Sequence, residues 1–342
     1  METAIASVAA ERKNYLAIDV MKFIMSLAVV AIHVRAALNT AYPGMMSYLI
    51  SLAVPFFFVT SGFLIYSHYN ESRQSVAKYY FIRAIRFVRL FVIWAIIYLP
   101  LSILYYSQIE DTSWYHDILS YTRRFITSGD LPYAWPLWYL HAMAVALLII
   151  AALLKAKCNV LTIWCIGLLL LLVAYCHDVI DFSSNPNPFK TAVGYYNLIF
   201  NTTRNGVFWG IGYVSAGMMI AKYGHRLHPL MGILSLIVGY LLMAFGLPFA
   251  EMCGAIGVFL FCKAIDDRYI IVMPLPLRSM SSVIYFTHMF FIVPLILYSI
   301  SHSELPGAFV TWCLMCILSI LLSLFVIRLM RMSRFAWLKQ LF

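Results

Sequence analysis

The chain has 342 residues, of which 63% are hydrophobic and 11% charged, against about 25% charged in soluble domains. That balance excludes a water-soluble globular enzyme. It points to an all-α polytopic membrane protein whose length is taken up by spans, with no room for a second soluble domain of ordinary size. The net charge of +10 follows membrane topology, as set out below, and so does not argue for a nucleic-acid partner.

Residues 1–14 read as a cytoplasmic tail. They are not a cleavable signal peptide, because Glu2 and Glu11 precede the apolar run and no small-residue cleavage site follows it. The first predicted span, 15–38, is YLAIDVMKFIMSLAVVAIHVRAAL and carries Asp19, Lys22, His33 and Arg35. Ionisable groups inside a span cost several kcal/mol unless they are paired or face a polar cavity, so this helix does more than anchor. Eleven positions separate Lys22 from His33. At about 100° per residue both side chains fall on one face, roughly 16 Å apart along the axis. Asp19 and Lys22, three apart, are placed to pair.

The second span, 45–67, contains AVPFFFVTSGFLIY, in which Ser61 and Gly62 allow close backbone approach and suit a small-residue packing seam. The third, 84–107, is preceded by KYYFIRAIRFVRLFVIW, with Arg83, Arg86 and Arg89 recurring every third residue. Two readings stay open for this stripe. It is ordinary juxtamembrane charge against lipid headgroups, or it is a site for a phosphorylated ligand, which guanidinium groups grip well. Segment 114–128 mixes polar and apolar residues as an interfacial helix does.

The fourth span, 136–154, opens PLWYLHAM. Trp138 and Tyr139 suit an interfacial belt, and His141 suits a hydrogen-bonded packing role. The fifth is 159–176. The sixth, 203–222, begins with Arg204 and Asn205 and continues with several glycines; Arg204 is either an interfacial anchor or part of a site for a polar acceptor. The seventh and eighth, 230–247 and 250–265, are divided only by a turn at Pro248. The ninth, 279–300, holds Tyr285 and His288 on one face. The tenth is 307–330, and 335–342 reads as a second cytoplasmic tail. Cys313 and Cys316 read as small residues on a helix face, since a redox or zinc site needs partners that the sequence does not supply; no metal is expected.

With the N-terminus in the cytoplasm, ten spans return the C-terminus to the same side. Of the 24 basic residues, only Arg123, Arg124, Lys190 and Arg204 then fall on outer segments, while Lys22 and Arg35 lie within the first span. This is a strong positive-inside bias.

Taken in order, these motifs resemble the acyltransferase-3 family of membrane proteins. The opening span is similar to that family's, which usually has Arg where this chain has Lys22, followed by a histidine here matched by His33. The family's F-F-x-x-S-G-F-L pattern matches Phe57 to Leu64, its Arg-x-x-Arg matches Arg83 and Arg86, its W-[FY]-L matches Trp138 to Leu140, and its I-Y-x-x-H matches Ile284 to His288. The matches cover residues 15 to about 330, with the domain expected to end near 334.

The resemblance implies ten helices in a bacterial cytoplasmic membrane. It also implies transfer of an acyl group, commonly acetyl, from cytoplasmic acyl-CoA to a hydroxyl of an envelope glycan or its lipid-linked precursor. His33 takes the place of the family's essential histidine, and Arg83 and Arg86 that of its acyl-CoA arginines. Lys22 keeps the charge of the usual Arg without its bidentate fork. On this reading Arg83, Arg86 and Arg89 hold the phosphates of acetyl-CoA, whose arm passes Asp19 and Lys22. His33 is the general base, His288 and Tyr285 orient the acceptor or stabilise the oxyanion, and Ser61, Trp138, Arg204 and Asn205 receive the acceptor. The chain is also similar to the membrane half of vancomycin-resistance serine racemases, including the Thr-Arg-Asn-Gly start of a span. That second resemblance implies a serine permease as the alternative, with the chain either free-standing or the membrane half of such a protein.

Overall fold

The computed structural model describes residues 15–69, 74–109, 113–179, 188–224, 228–269, 275–301 and 307–342. The tail expected at 1–14, with Arg12 and Lys13, lies outside these residues, as do Arg73 and Arg226.

All regular structure among the described residues is helical. In chain order the helices are α1 Leu16–Ala37, α2 Gly44–Ser51, α3 Ala53–Ser67, α4 Val76–Tyr106 and α5 Trp114–Thr127. Next come α6 Trp138–Lys155, α7 Val160–Asp178, α8 Pro188–Phe200, α9 Ile211–Tyr223 and α10 Pro229–Ala244. The series closes with α11 Ala250–Arg268, α12 Leu277–Thr287, α13 Met289–Ser301 and α14 Ala308–Met330. A π-helical turn at Gly206–Gly210 leads into α9, and 3-10 turns at Trp135–Leu137 and Ser333–Gln340 flank α6 and follow α14.

Among the described residues, seven segments are long and apolar enough to cross a membrane: α1, α2 with α3, α4, α6 with its 3-10 turn, α7, α12 with α13, and α14. The protein is a polytopic helical membrane protein. The other three predicted spans are helical too, but each departs from a simple apolar rod. The sixth is split by the π turn, α10 has 16 residues, and α11 carries Glu251 in its first turn and Lys263, Asp266, Asp267 and Arg268 near its end.

Local chemistry fixes several helix starts. The Ser75 hydroxyl accepts from the Lys78 amide at 3.4 Å and the Asn159 side chain from the Thr162 amide at 2.8 Å, each satisfying a donor that the first turn leaves open. Helix α1 has no cap of its own. Its Ala17 and Ile18 amides instead donate to the two carboxylate oxygens of Asp266 on α11, at 2.7 and 3.1 Å. A carboxylate at a helix N-terminus is also favoured by the helix dipole.

Helix α1 contributes to both main apolar clusters, as do α4 and α6. Ile18, Met25 and Val29 belong to one with α3, α6, α9 and α11; Val30 and Val34 belong to the other with α4, α6, α12 and α13. Helices in lipid gain little hydrophobic driving force from one another, so close contact is made through small residues. Gly62 of α3 and Gly217 of α9 bring those two backbones together, and Gly167 of α7 meets Gly212 of α9.

Helix α5 forms where the interfacial helix was predicted and has no fully buried residue. Helix α8 occupies what was expected to be an outer loop; the His177 imidazole at the end of α7 meets Asn197 of α8 at 2.8 Å. The segment 335–342, expected as a tail, is docked. The Trp94 indole donates to the Leu341 carbonyl at 2.7 Å, and the Phe342 ring packs on Trp94 and Phe286 at 5.5 and 5.8 Å. Aromatic residues cannot be left in water at no cost, and two rings on the bundle offer them cover.

Candidate active site

Two cavities lie on either side of one pair of tyrosines. The first, about 520 Å³, stands at the end of the bundle where α1 begins. Lys22 of α1, Arg83 and Arg86 of α4, Arg278 of α12 and Lys339 of the terminal 3-10 turn line it, and its described lining holds no carboxylate. The second, about 150 Å³, stands at the end where α1 stops and is lined by His33, Arg35, Trp138, Arg204, Trp209 and Glu251 among others. A larger cavity of about 630 Å³ between α4 and α5 is lined by none of the predicted site residues.

Tyr139 and Tyr285 line both the arginine cavity and the histidine cavity. Their rings meet edge to face at 5.9 Å and 69°. The Tyr139 hydroxyl shares a 3.1 Å hydrogen bond with the Ser61 hydroxyl and donates to the Phe57 carbonyl at 3.3 Å. The Tyr285 hydroxyl donates to the Pro136 carbonyl. The pair is therefore a partition held shut by hydrogen bonds to α3 and to the turn before α6.

His33 is nearly buried and stacks on His288 with centroids 5.1 Å apart and planes at 23°; Trp135 lies 5.6 Å away on a tilted plane. His288 is fully buried, and its Nδ1 meets the Ile284 carbonyl at 2.8 Å. A carbonyl can only accept, so Nδ1 carries the proton in this arrangement. The bare Nε2 has no partner among the described residues. With Nδ1 so engaged, Nε2 is the nitrogen left to act on a further partner, and His288 lines neither of these two cavities. Tyr285, with its hydroxyl engaged on Pro136, is no free donor here.

The arginine stripe divides. Arg83 donates to the Tyr79 hydroxyl at 3.2 Å and, with Arg86, lines the cavity; Arg89 is exposed and does not. A step of three residues falls about 60° short of a full turn, so two steps carry Arg89 roughly 120° away from Arg83.

Asp19 is buried and does not line the cavity. It takes the Arg278 guanidinium through Nε at 3.0 and 3.2 Å and Nη2 at 2.8 Å, and meets the Lys22 ammonium at 3.4 Å. It positions two cations at the cavity rim rather than touching a ligand. Arg278 was counted in the sequence only as topology charge; its partner is 259 positions away.

Trp138 and Arg204 stand on the histidine cavity, and Ser61 stands on the arginine cavity. Asn205 lines neither. Its Oδ1 accepts from the Val207 and Phe208 amides at 3.0 and 3.1 Å, and its Nδ2 donates to the Tyr196 hydroxyl at 2.9 Å and the Thr202 carbonyl at 3.2 Å. With all four bonds made inside the protein, it holds the π turn and is not an acceptor contact. The residues that sequence reasoning did not assign to the site are Tyr139, Arg278, Glu251, Arg35 and Lys339.

An arginine cavity and a histidine cavity thus meet inside a helical membrane bundle. A family profile described as an acyltransferase domain, that of acyltransferase-3, matches residues 15–328. The chain belongs to this family. An amino-acid racemase of Enterococcus faecalis is 27% identical over 226 residues, covering 63% of this chain and 29% of the relative, so the chain spans well under half of that relative's length. No solved structure matches.

Proposed function

We propose that the protein transfers an acyl group, acetyl in the first instance, from cytoplasmic acyl-CoA to a hydroxyl presented at the outer face of a bacterial cytoplasmic membrane. The observation that carries this reading is the pair of unlike cavities with Tyr139 and Tyr285 as their common wall. The arginine cavity, whose described charged lining residues are all cations, suits the phosphates of CoA, with Arg83 and Arg86 as the principal grips. The charge bias of the loops supports placing that end in the cytoplasm.

The slender pantetheine arm then runs along α1 and brings the thioester to the tyrosine wall. His33 on the far side takes the proton of the acceptor hydroxyl as its oxygen attacks the thioester carbonyl carbon. The C–S bond breaks, the CoA thiolate leaves, and the proton on His33 returns to that thiolate. His288 accepts through its bare Nε2 and orients His33 or the acceptor. The acceptor is a hydroxyl of an envelope glycan or of its lipid-linked precursor, presented one unit at a time, because the histidine cavity measures about 150 Å³.

A permease for a small solute such as serine is the second reading. The partitioned pair of cavities fits it too, and one relative is an amino-acid racemase. The test uses proteoliposomes given labelled acetyl-CoA. His33→Ala is expected to bind acetyl-CoA as the wild type does and to transfer 10²–10⁴-fold more slowly, about the usual contribution of a general base. Arg83→Ala/Arg86→Ala is expected to lose donor binding. Full transfer by His33→Ala, or full binding by the double variant, refutes the respective assignment. Serine uptake without CoA would replace the reading with the permease.

A further inference from the structure

The cavity of about 630 Å³ between α4 and α5 takes no part in the transfer proposed above. It lies at the far end of α4 from Arg83 and Arg86, and its second wall is the first half of α5. Leu99, Ile103, Ile109 and Ile118 make its apolar surface, several hydroxyls interrupt that surface, and Asp117 is the one charged residue in its described lining. Ile103 and Ile118 also stand out from the bundle, 61% and 57% exposed, and α5 has no fully buried residue. An amphipathic helix with Trp114 at its start belongs at a membrane interface. The cavity therefore opens sideways toward lipid. A dry void of this size forfeits contacts all along its lining, and water filling it would lie against mostly apolar side chains.

Asp117 lies in the first turn of α5, where the helix dipole favours a carboxylate. The dipole supplies no partner for it. Its Oδ1 is buried and makes no hydrogen bond among the described residues, and the Tyr106 hydroxyl, on the same lining, is buried and unpartnered too. The Nδ1 of His116 stands 3.9 Å from Oδ1, beyond hydrogen-bonding distance, on a side chain that is 67% exposed. Farther along α5, Arg123 is engaged by the Leu198 carbonyl and Arg124 by Asp130 at 3.4 Å. Buried polar groups are expected to be hydrogen-bonded, so these two call for a partner that enters the cavity. An anionic headgroup would set like charge beside Asp117. A headgroup with N–H donors and a positive charge complements it.

We propose that the cavity between α4 and α5 is the site of a membrane lipid with a primary-amine headgroup, of the aminophospholipid class. A hydrocarbon chain of the lipid lies between the two helices along Leu99 and Ile103, and the ammonium donates to the Asp117 carboxylate. An ammonium carries three N–H donors, enough to serve Asp117 and the Tyr106 hydroxyl together. The site is separate from both the arginine and the histidine cavities, and it stands whether or not the chain transfers an acyl group.

The test is photolabelling of the full chain in an uncharged detergent. The probes are phosphatidylethanolamine and phosphatidylglycerol of equal chain length, each with a diazirine in one chain. They share the phosphodiester and the tails, and only the first carries an amine. Phosphatidylethanolamine is expected to label the stretch 99–122 at a half-saturating concentration about tenfold or more below that of phosphatidylglycerol, the effect of one hydrogen bond to a charged group. Asp117→Asn is expected to abolish that preference while phosphatidylglycerol labels the variant as it does the wild type, which a misfolded variant would not allow. The comparison of the two lipids on the wild type depends on no variant. Glycerophosphoethanolamine, the headgroup without tails, is expected not to displace the lipid, and full displacement by it would mean a site for a soluble amine and overturn the lipid assignment. Equal labelling by the two lipids, labelling of phosphatidylethanolamine outside 99–122, or a preference untouched by Asp117→Asn overturns the proposal.

Discussion

Gly62→Ala tests how the fold carries the site. A Cβ at position 62 would stand 2.8 Å from the Val214 carbonyl carbon and 3.0 Å from its Cα, with the carbonyl oxygen nearer still, whereas ordinary contact begins at 3.4 Å. The obstacle is the backbone of α9, so no change of rotamer relieves it. Position 217 is the counterpart, where a Cβ would meet the Phe63 amide nitrogen at 2.6 Å and the Val59 carbonyl carbon at 3.0 Å. Close-packed interiors do not absorb such overlap, and α3 and α9 must part by on the order of 1 Å. Overpacking costs about 1–3 kcal/mol, and a backbone obstacle belongs at the upper end of that range. Ser61 is the neighbouring residue, and its 3.1 Å bond to Tyr139 would be stretched past hydrogen-bonding distance. A displacement of about 1 Å at a reacting centre costs on the order of 10²-fold in rate. Gly62→Ala is therefore expected to lower the unfolding temperature by several degrees in detergent and to slow acyl transfer about a hundredfold. Gly44→Ala is the control, because nothing stands within 4 Å of its added Cβ. A Gly62→Ala protein with wild-type melting and rate, or a Gly44→Ala protein with the same losses, would refute the argument.

Asp19→Asn strips Lys22 of its carboxylate and is expected to cost about 1–3 kcal/mol, less than a fully buried pair because the cavity hydrates the ammonium; Asp19→Asn/Lys22→Met should recover most of it, and chemical denaturation of the two variants would show the opposite if the pair were idle. Asn205→Ala removes a cap and two further buried bonds and should lose about 2–3 kcal/mol, with Asn205→Asp intermediate because it keeps the cap; a loss confined to acceptor KM would restore Asn205 as a substrate contact. Tyr139→Phe removes two neutral hydrogen bonds worth together about 2 kcal/mol, and so should raise thioester hydrolysis without acceptor by up to about 30-fold; unchanged hydrolysis would mean the tyrosine pair is no partition. Asp130, beside Arg124 at 3.4 Å, has its carboxyl raised above the usual 3.8 by burial, with Arg124 and Arg204 pulling the other way. The folded state then binds the proton more tightly, so this contribution to stability is complete below the unfolded value and is lost as pH rises through the folded one. The melting temperature of the wild type relative to Asp130→Asn should fall as pH rises from about 4 to 7, and a difference that grows with pH would sink the assignment.

Much of the bundle was legible because lipid demands long apolar helices, and composition alone records that demand. The failures share a different cause. The three-residue arginine repeat looked like one stripe, yet the helical angle turns Arg89 away from the cavity that Arg83 and Arg86 line. Asn205 looked like a polar contact at the mouth of a span. Its spacing to Val207 and Phe208 is also that of a cap, and the cap is what forms. The docked 335–342 segment did carry a signal, its terminal Leu341 and Phe342, an apolar pair costly to leave in water. Arg278 gave none, because its partner is set by packing between α12 and α1.

Helix α1 shows where linear reasoning stops. The eleven-residue spacing placed Lys22 and His33 on one face, and both do stand on cavities. Spacing along one helix cannot show that the space beside it is divided. The divider is built from α3, α6 and α12, by Ser61 with Tyr139, 78 positions apart, and by Tyr285 with Pro136, 149 apart. A divided space has a consequence that a continuous channel lacks. The two charged ends of α1 need never be solvated by the same water, so on the proposed transfer a thioester at one side would be kept from hydrolysis until the wall gives way. The small loss of hydrogen bonding needed to open it, about 2 kcal/mol at Tyr139, is within what a correctly bound donor or acceptor can supply. On the proposed acyl transfer, Lys22 and His33 would then serve successive steps on opposite sides of the tyrosine pair, and the Tyr139→Phe measurement above decides whether Tyr139 connects them.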